Sequence, residues 1–143
     1  MDYTWLIFAL LSAFTAALVA IFAKIGLQGI DSNTATAIRA IIMAVFLIAV
    51  IAVQGKLGNI GPILANQQAL MFIVFSGIAG ALSWIFYFLA MNYGKVSQVV
   101  PIDRLSIVFA IVLAFVFLQE KISLQTGIGT AIVVAGAIII ALG

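Results

Sequence analysis

Five long stretches of this sequence carry no charge at all: residues 3–23, 40–55, 57–94, 105–119 and 122–143. A helix crossing the hydrocarbon core of a bilayer needs roughly 20 apolar residues at about 1.5 Å each, and these stretches approach or exceed that length. Only 7% of the 143 residues are charged and 66% are apolar, whereas a water-soluble domain charges about a quarter of its residues. Six basic and four acidic side chains cannot keep the surface of such a chain in water. The sequence reads as an integral membrane protein.

Composition closes off several chemistries. There is no Cys and no His, which removes Cys/His zinc sites, thiol chemistry, haem attachment and disulfides. A Ser–His–Asp arrangement needs a His, and no GxxxxGK[ST] or GxGxxG phosphate loop occurs. The net charge of +2 is spread over scattered sites, not gathered into the basic patch that nucleic acid requires. The expectation is therefore no enzyme, no metal, no cofactor and no nucleic-acid partner.

Met1-Asp2-Tyr3-Thr4 places no basic side chain ahead of the first apolar run, so that run is expected to be a retained span and not a signal peptide. Charges, Gly/Pro and polar clusters divide the chain into spans of about 4–23, 35–54, 69–91, 98–118 and 124–142. Asp31, Ser32 and Asn33 each have a side chain able to cap the second span. Gly58-Asn59-Ile60-Gly61-Pro62 reads as a loop, and Gly94 as the C-cap of the third span. Barrel strands would alternate apolar and polar residues, and these runs are continuous. The fold class is all-α integral membrane, a five-transmembrane-helix bundle forming one domain over 1–143, with no extramembrane domain expected.

Charge says little about orientation. An odd number of spans puts the termini on opposite faces. Lys56 and Lys121 share the face of the N-terminus; Lys24, Arg39, Lys95 and Arg104 belong to the other. A simple positive-inside count places the N-terminus outside, but Arg39 and Arg104 lie inside predicted spans. Without them the count balances, as dual orientation requires.

Ionisable groups within spans are the first functional candidates, because desolvating them is costly. Arg39 lies about four residues into its predicted span, roughly 6–7 Å deep. It either snorkels to the interface or faces a cavity and binds an anion or carboxylate. Asp103 and Arg104 follow Pro101. If the helix starts at Ser97 or Gln98, Asp103 is about a turn and a half inside and Pro101 loosens the backbone. If it starts at Pro101, Asp103 is an N3 residue favoured by the helix dipole. Asp103 is thus either a cap or local ion pair, or a substrate or proton site. Lys24 and Glu120-Lys121, at span ends, read as interfacial anchors.

Ser76, Gly80, Ser83, Tyr87 and Met91 recur at spacings of 4, 3, 4 and 4, on one helical face with Trp84 beside it. Trp5, Ser12 and Thr15 form a thinner version in the first span. Such stripes line a cavity for an amphipathic solute or serve helix–helix packing in lipid. Gly129, Gly136 and Gly143 are seven apart in the last span; Gly129 and Gly136 are read as a packing or dimer face.

The segment Lys95-Val96-Ser97-Gln98-Val99-Val100-Pro101-Ile102-Asp103-Arg104-Leu105-Ser106, with Phe117-Leu118-Gln119-Glu120-Lys121-Ile122-Ser123, resembles the second half of an EamA domain of the drug/metabolite transporter superfamily. There a Pro-bearing helix ends in an apolar run and a Gly-Glu-(Lys/Arg) turn, followed by a Gly-rich helix. Glu120 matches the turn acid, and Gln119 stands where the family usually has Gly. Ala37-Ile38-Arg39 similarly looks like the family's Arg in the second helix. The Pro-Ile-Asp-Arg-Leu-Ser stretch looks like the single-unit subgroup.

Larger members of that family carry two inverted units, so the resemblance implies one unit of an inverted-repeat transporter fold completed by a second copy in an antiparallel homodimer, or by another partner. The leading expectation is then a secondary transporter of a small metabolite or amphipathic solute in the prokaryotic cytoplasmic membrane, the substrate itself not being carried over from the family. Its partners would be lipid and the solute, and a proton or cation would couple through Asp103, the one carboxylate read as lying within a span. The alternatives are a lipid-linked substrate flippase subunit and a non-transporting membrane scaffold.

Overall fold

In the computed structural model, which describes residues 3–143, the long uncharged stretches have become helix. A backbone in lipid must satisfy its own N–H and C=O groups, and a helix does so within one segment. The elements are α1 (Thr4–Gly26), α2 (Ser32–Val53), a 3-10 turn (Leu57–Asn59), α3 (Ile60–Ala65), α4 (Gln67–Tyr93), α5 (Val96–Asp103), α6 (Ser106–Leu118) and α7 (Leu124–Leu142). No strand occurs among the described residues. Five segments are long and apolar enough to cross a membrane, with α5 and α6 together making the fourth.

The helix ends follow from their sequences. Asp31 is the cap of α2, its carboxylate accepting from the Thr34 N–H at 2.8 Å and the Thr34 hydroxyl at 2.7 Å. Those bonds, the side-chain one foremost, hold its pKa below the ordinary carboxylate value. Gly55 ends α2 at φ 68°. Its N–H donates to Ala52 and the Lys56 N–H to Ile51, the paired closure that a left-handed residue permits. Asn66 accepts from the Ala69 N–H at the start of α4, and Ser123 from the Thr126 N–H at the start of α7.

Two expectations need correction. Gly58–Pro62 is not an open loop, because a 3-10 turn runs directly into α3. Pro62 falls in the first turn of α3, where a missing N–H costs nothing. Nor is the fourth span one helix over 98–118. It starts at Val96 and breaks after Asp103. Pro101 lies inside α5 and withholds the N–H that would reach Ser97. Bonding then tightens to i→i+3: Leu105 N–H to Ile102, Ile107 to Arg104 and Val108 to Leu105, at 2.9–3.1 Å. Asp103 is therefore the last residue of α5 and not an N3 residue of the span.

The chain resolves into two units, one made of residues up to Ile25 together with Tyr93–Gly143, the other of Gly26–Asn92. In the first, α5 and α6 pack on α7, and Ala20 and Ala137 are buried. Lys24 Nζ donates to the Gly94 carbonyl at 2.9 Å, tying the end of α1 to the turn before α5. In the second, Ser32, Thr36, Leu27, Phe88 and Met91 are buried. Most large apolar side chains point outward, as lipid favours, since hydrocarbon gives helices no hydrophobic reason to associate. Hydroxyls within the spans bond back to their own helix: Thr15 to Leu11, Thr36 to Ser32 and Thr130 to Thr126.

Candidate functional site

The 26–92 unit holds a single charged group inside a span, and the fold gives it a partner. Arg39 sits seven residues after Ser32, about 10 Å along α2. Its guanidinium carbon stands 3.6 Å from the centroid of the Trp84 ring and 5.1 Å from that of Phe88. A guanidinium over an indole face is attracted by the ring quadrupole, worth about 0.5–2 kcal/mol. Arg39, Trp84 and Tyr87 are half-buried, while Phe88 and Met91 are closed off.

The rings come from one face of α4. Trp84, Tyr87, Phe88 and Met91 follow the i, i+3, i+4, i+7 rule that puts residues on a common stripe. Their rings also brace one another. Trp84 meets Tyr87 edge-on at 5.6 Å and Phe88 at 5.3 Å, and Tyr87 meets Phe88 at 5.7 Å. An aromatic cluster of this kind contributes beyond its buried area and holds Trp84 in the orientation that the guanidinium needs.

The inward face of α4 is thus turned toward Trp84 and Phe88 relative to the predicted stripe. Tyr87 and Met91 belong to it, whereas Ser76 and Ser83 are exposed at its rim. Phe88 is not singled out by the sequence, because one Phe among eleven does not stand out. Its position four residues after Trp84 was the available signal.

In the other unit, Asp103 and Arg104 are exposed at the α5–α6 break, about 10 Å along the span from Val96. Ser12 on α1 is exposed, and its carbonyl accepts from the Thr15 hydroxyl. Gly129 is exposed and Gly136 half-buried, and a Cβ added at either meets nothing within 4 Å. Among the described residues of this unit, neither glycine is the site of a close approach. An open groove of about 310 Å³ lies beside the α6–α7 turn, lined by Ala110, Ile111, Ala114, Glu120, Lys121, Ile122 and Thr126. No group of three or more metal-ligating side chains exists among the described residues.

Residues 3–142 match the EamA-like transporter family. This chain belongs to that family. A protein named as an uncharacterized transporter in the cobO 3' region of Sinorhizobium sp is 38% identical over 141 residues, covering 99% of each chain. Solute carrier family 35 member G1 of Mus musculus is 28% identical over 135 residues, which are 94% of this chain and 35% of the mouse protein. No solved structure matches the chain. The EamA-family chain is thus a multi-pass membrane protein of a transporter family.

The EamA turn explains one backbone oddity. Gln119, where the family usually has Gly, is the only non-Gly residue among those described with positive φ, at 56°. Its N–H and that of Glu120 both reach the Ala114 carbonyl, and its amide donates to Val116 at 3.0 Å. The turn keeps a left-handed conformation that glycine adopts without steric cost.

Proposed function

We propose that this EamA-family protein is a secondary transporter. It carries a small metabolite or amphipathic solute across the prokaryotic cytoplasmic membrane by alternating access, as an antiparallel homodimer. The observation that carries this reading is the stack of Arg39 on Trp84. Snorkelling would leave the guanidinium among the lipid headgroups. Here the guanidinium lies instead on a ring nine residues before the end of α4, about 13 Å along the helix. A charge inside a span, held on half-buried Trp84 and buried Phe88 and not at the headgroups, supports a role in meeting a solute.

The broken fourth span supports the same reading. Discontinuous helices are where secondary transporters form their substrate and ion sites, and this one ends its first half on a carboxylate. Asp103 is the coupling group, with Arg104 beside it. Ser12, Ser76, Ser83 and Tyr87 serve as cavity wall. An exposed charge at this depth needs water or another chain around it, and Gly129 and Gly136 leave α7 open to close approach by a second copy. The balanced loop charges suit two opposite orientations.

Two measurements test the reading. Single cysteines replacing Tyr3 and Leu142 are labelled in intact cells; labelling of each from both sides is expected, and one fixed orientation overturns the antiparallel homodimer. Proteoliposomes preloaded with a mixture of small metabolites should release at least one of them. Asp103→Asn should slow that release about a hundredfold or more, the order of a lost acid–base step, with the dimer intact. Scrambling of a fluorescent lipid without solute release marks a flippase. No release of any solute, with assembly lost in Gly136→Leu and kept in Asp103→Asn, marks a scaffold.

A further inference from the structure

We propose that Arg39 receives the carboxylate of a monoanionic organic solute with an apolar body, and that the site rejects cations of the same shape. The inference rests on the transporter reading for the solute being carried, and on the 26–92 unit alone for its chemistry.

The charge of Arg39 is not neutralised within that unit. Asp31 is the only acid between residues 26 and 92. It lies outside the span with its carboxylate committed to Thr34. Lys56, the remaining charge, lies beyond the far end of α2. A guanidinium without a counter-ion in apolar surroundings is costly, and ring contacts return only part of that cost.

The geometry also leaves the binding edge of Arg39 unused. One face of the guanidinium is covered by Trp84 at 3.6 Å. Its five N–H donors lie in the plane, at the rim. The contacts the guanidinium makes within the unit are with rings, Trp84 at 3.6 Å and Phe88 at 5.1 Å. A guanidinium fixed by its face presents the two-pronged edge that matches a carboxylate.

Three alternatives are disfavoured by the same contacts. A quaternary ammonium seeks an open aromatic face, but one face of Trp84 already carries a cation, which would repel it. A phosphate monoester brings about −1.5 to −2 charges against the single positive charge in the span. A sugar-like body would want several hydroxyl partners at the stack, whereas the rings against Trp84 are those of Tyr87 and Phe88, with a single hydroxyl between them.

The test uses the full chain in nanodiscs, in a Trp5→Phe background so that Trp84 is the only indole. Trp5 is 68% exposed on α1, outside the site. The ligands are 3-phenylpropanoate, 3-phenylpropanamide and 3-phenylpropylammonium, alike in shape and different in charge. Saturable change in Trp84 fluorescence is expected with the carboxylate, and binding about tenfold or more weaker with the other two, the scale of one lost charge-assisted contact. Arg39→Gln should abolish the preference and Arg39→Lys should keep part of it, with circular dichroism and gel filtration reporting folding. Binding of the carboxylate that falls as the pH is lowered through its own pKa gives a readout without any substitution.

Equal binding of all three ligands, preference for the ammonium, or carboxylate binding that survives in folded Arg39→Gln overturns the proposal. Carboxylate binding without flux in proteoliposomes leaves the site standing and overturns the transport reading. Flux of other solutes without carboxylate binding does the reverse.

Discussion

The guanidinium carbon of Arg39 lies 3.6 Å from the centre of the Trp84 ring, joining the only charge inside α2 to a braced aromatic cluster on α4. The two residues are 45 positions apart in sequence. Each gives the other a reason to be where it is. The ring stabilises a charge that hydrocarbon does not, and the charge holds the ring against its neighbours Tyr87 and Phe88.

Replacing Trp84 therefore removes two kinds of contact. Trp84→Ala should destabilise the protein by about 2–3 kcal/mol, combining the cation–π term with the ring–ring contacts. Trp84→Phe, which keeps a smaller ring under the guanidinium, should lose less than half of that. Reversible unfolding by SDS titration measures both, and equal losses would show that the stack contributes nothing.

Burial in this chain predicts sensitivity better than hydrophobicity does. Met91 is 0% exposed, while Phe46 is 66% exposed. Met91→Ala should cost about 2–5 kcal/mol, the range for emptying a packed site. Phe46→Ala exchanges one lipid-facing surface for another and should stay within about 0.5 kcal/mol. The same titration ranks them, and a reversed order would place the packed face of α4 elsewhere.

Gln119 holds a left-handed conformation that costs a residue with a Cβ about 1–2 kcal/mol. Gln119→Gly should raise stability by up to about 1 kcal/mol, once the flexibility glycine adds to the unfolded chain is allowed for. Gln119→Ala keeps the strain and loses the amide bond to Val116, so its stability should fall. Gly55, at φ 68°, gives the converse case, with Gly55→Ala destabilising. Thermal unfolding of the three variants decides the point.

Asp31 makes stability depend on pH in one direction. Its bonds from the Thr34 hydroxyl and N–H lower its pKa in the folded chain, below the ordinary value of about 3.9. The stabilisation is complete above that value and is lost as the pH falls through the lowered pKa, where the carboxylate takes up a proton. Asp31→Asn should keep the cap and flatten this acid limb. Asp31→Ala should lower the unfolding temperature at neutral pH as well. Melting curves from pH 6 downward separate the two, and an unchanged acid limb in Asp31→Asn would assign the pH dependence to another group.

The spans, the all-helical class and the EamA membership were legible in the sequence, because what lipid demands of a helix is local: enough consecutive apolar residues and internally satisfied backbone groups. The last span, Leu124–Leu142, emerged with the predicted boundaries, since Ser123 before it and the apolar run within it are both local signals. What a helix does with its faces is not local. In a chain where nearly every position is apolar, hydropathy does not say which side of α4 turns inward. Only packing put Trp84, Phe88 and Met91 there and left Ser76 and Ser83 at the rim. The break after Asp103 likewise needed tertiary structure, because Pro101 permits an interruption without choosing where the hydrogen bonds shift. Arg39 was visible as a charge in a span from the start; the ring it rests on was decided by the fold, since the partner of a desolvated charge is whatever the neighbouring helix brings within reach.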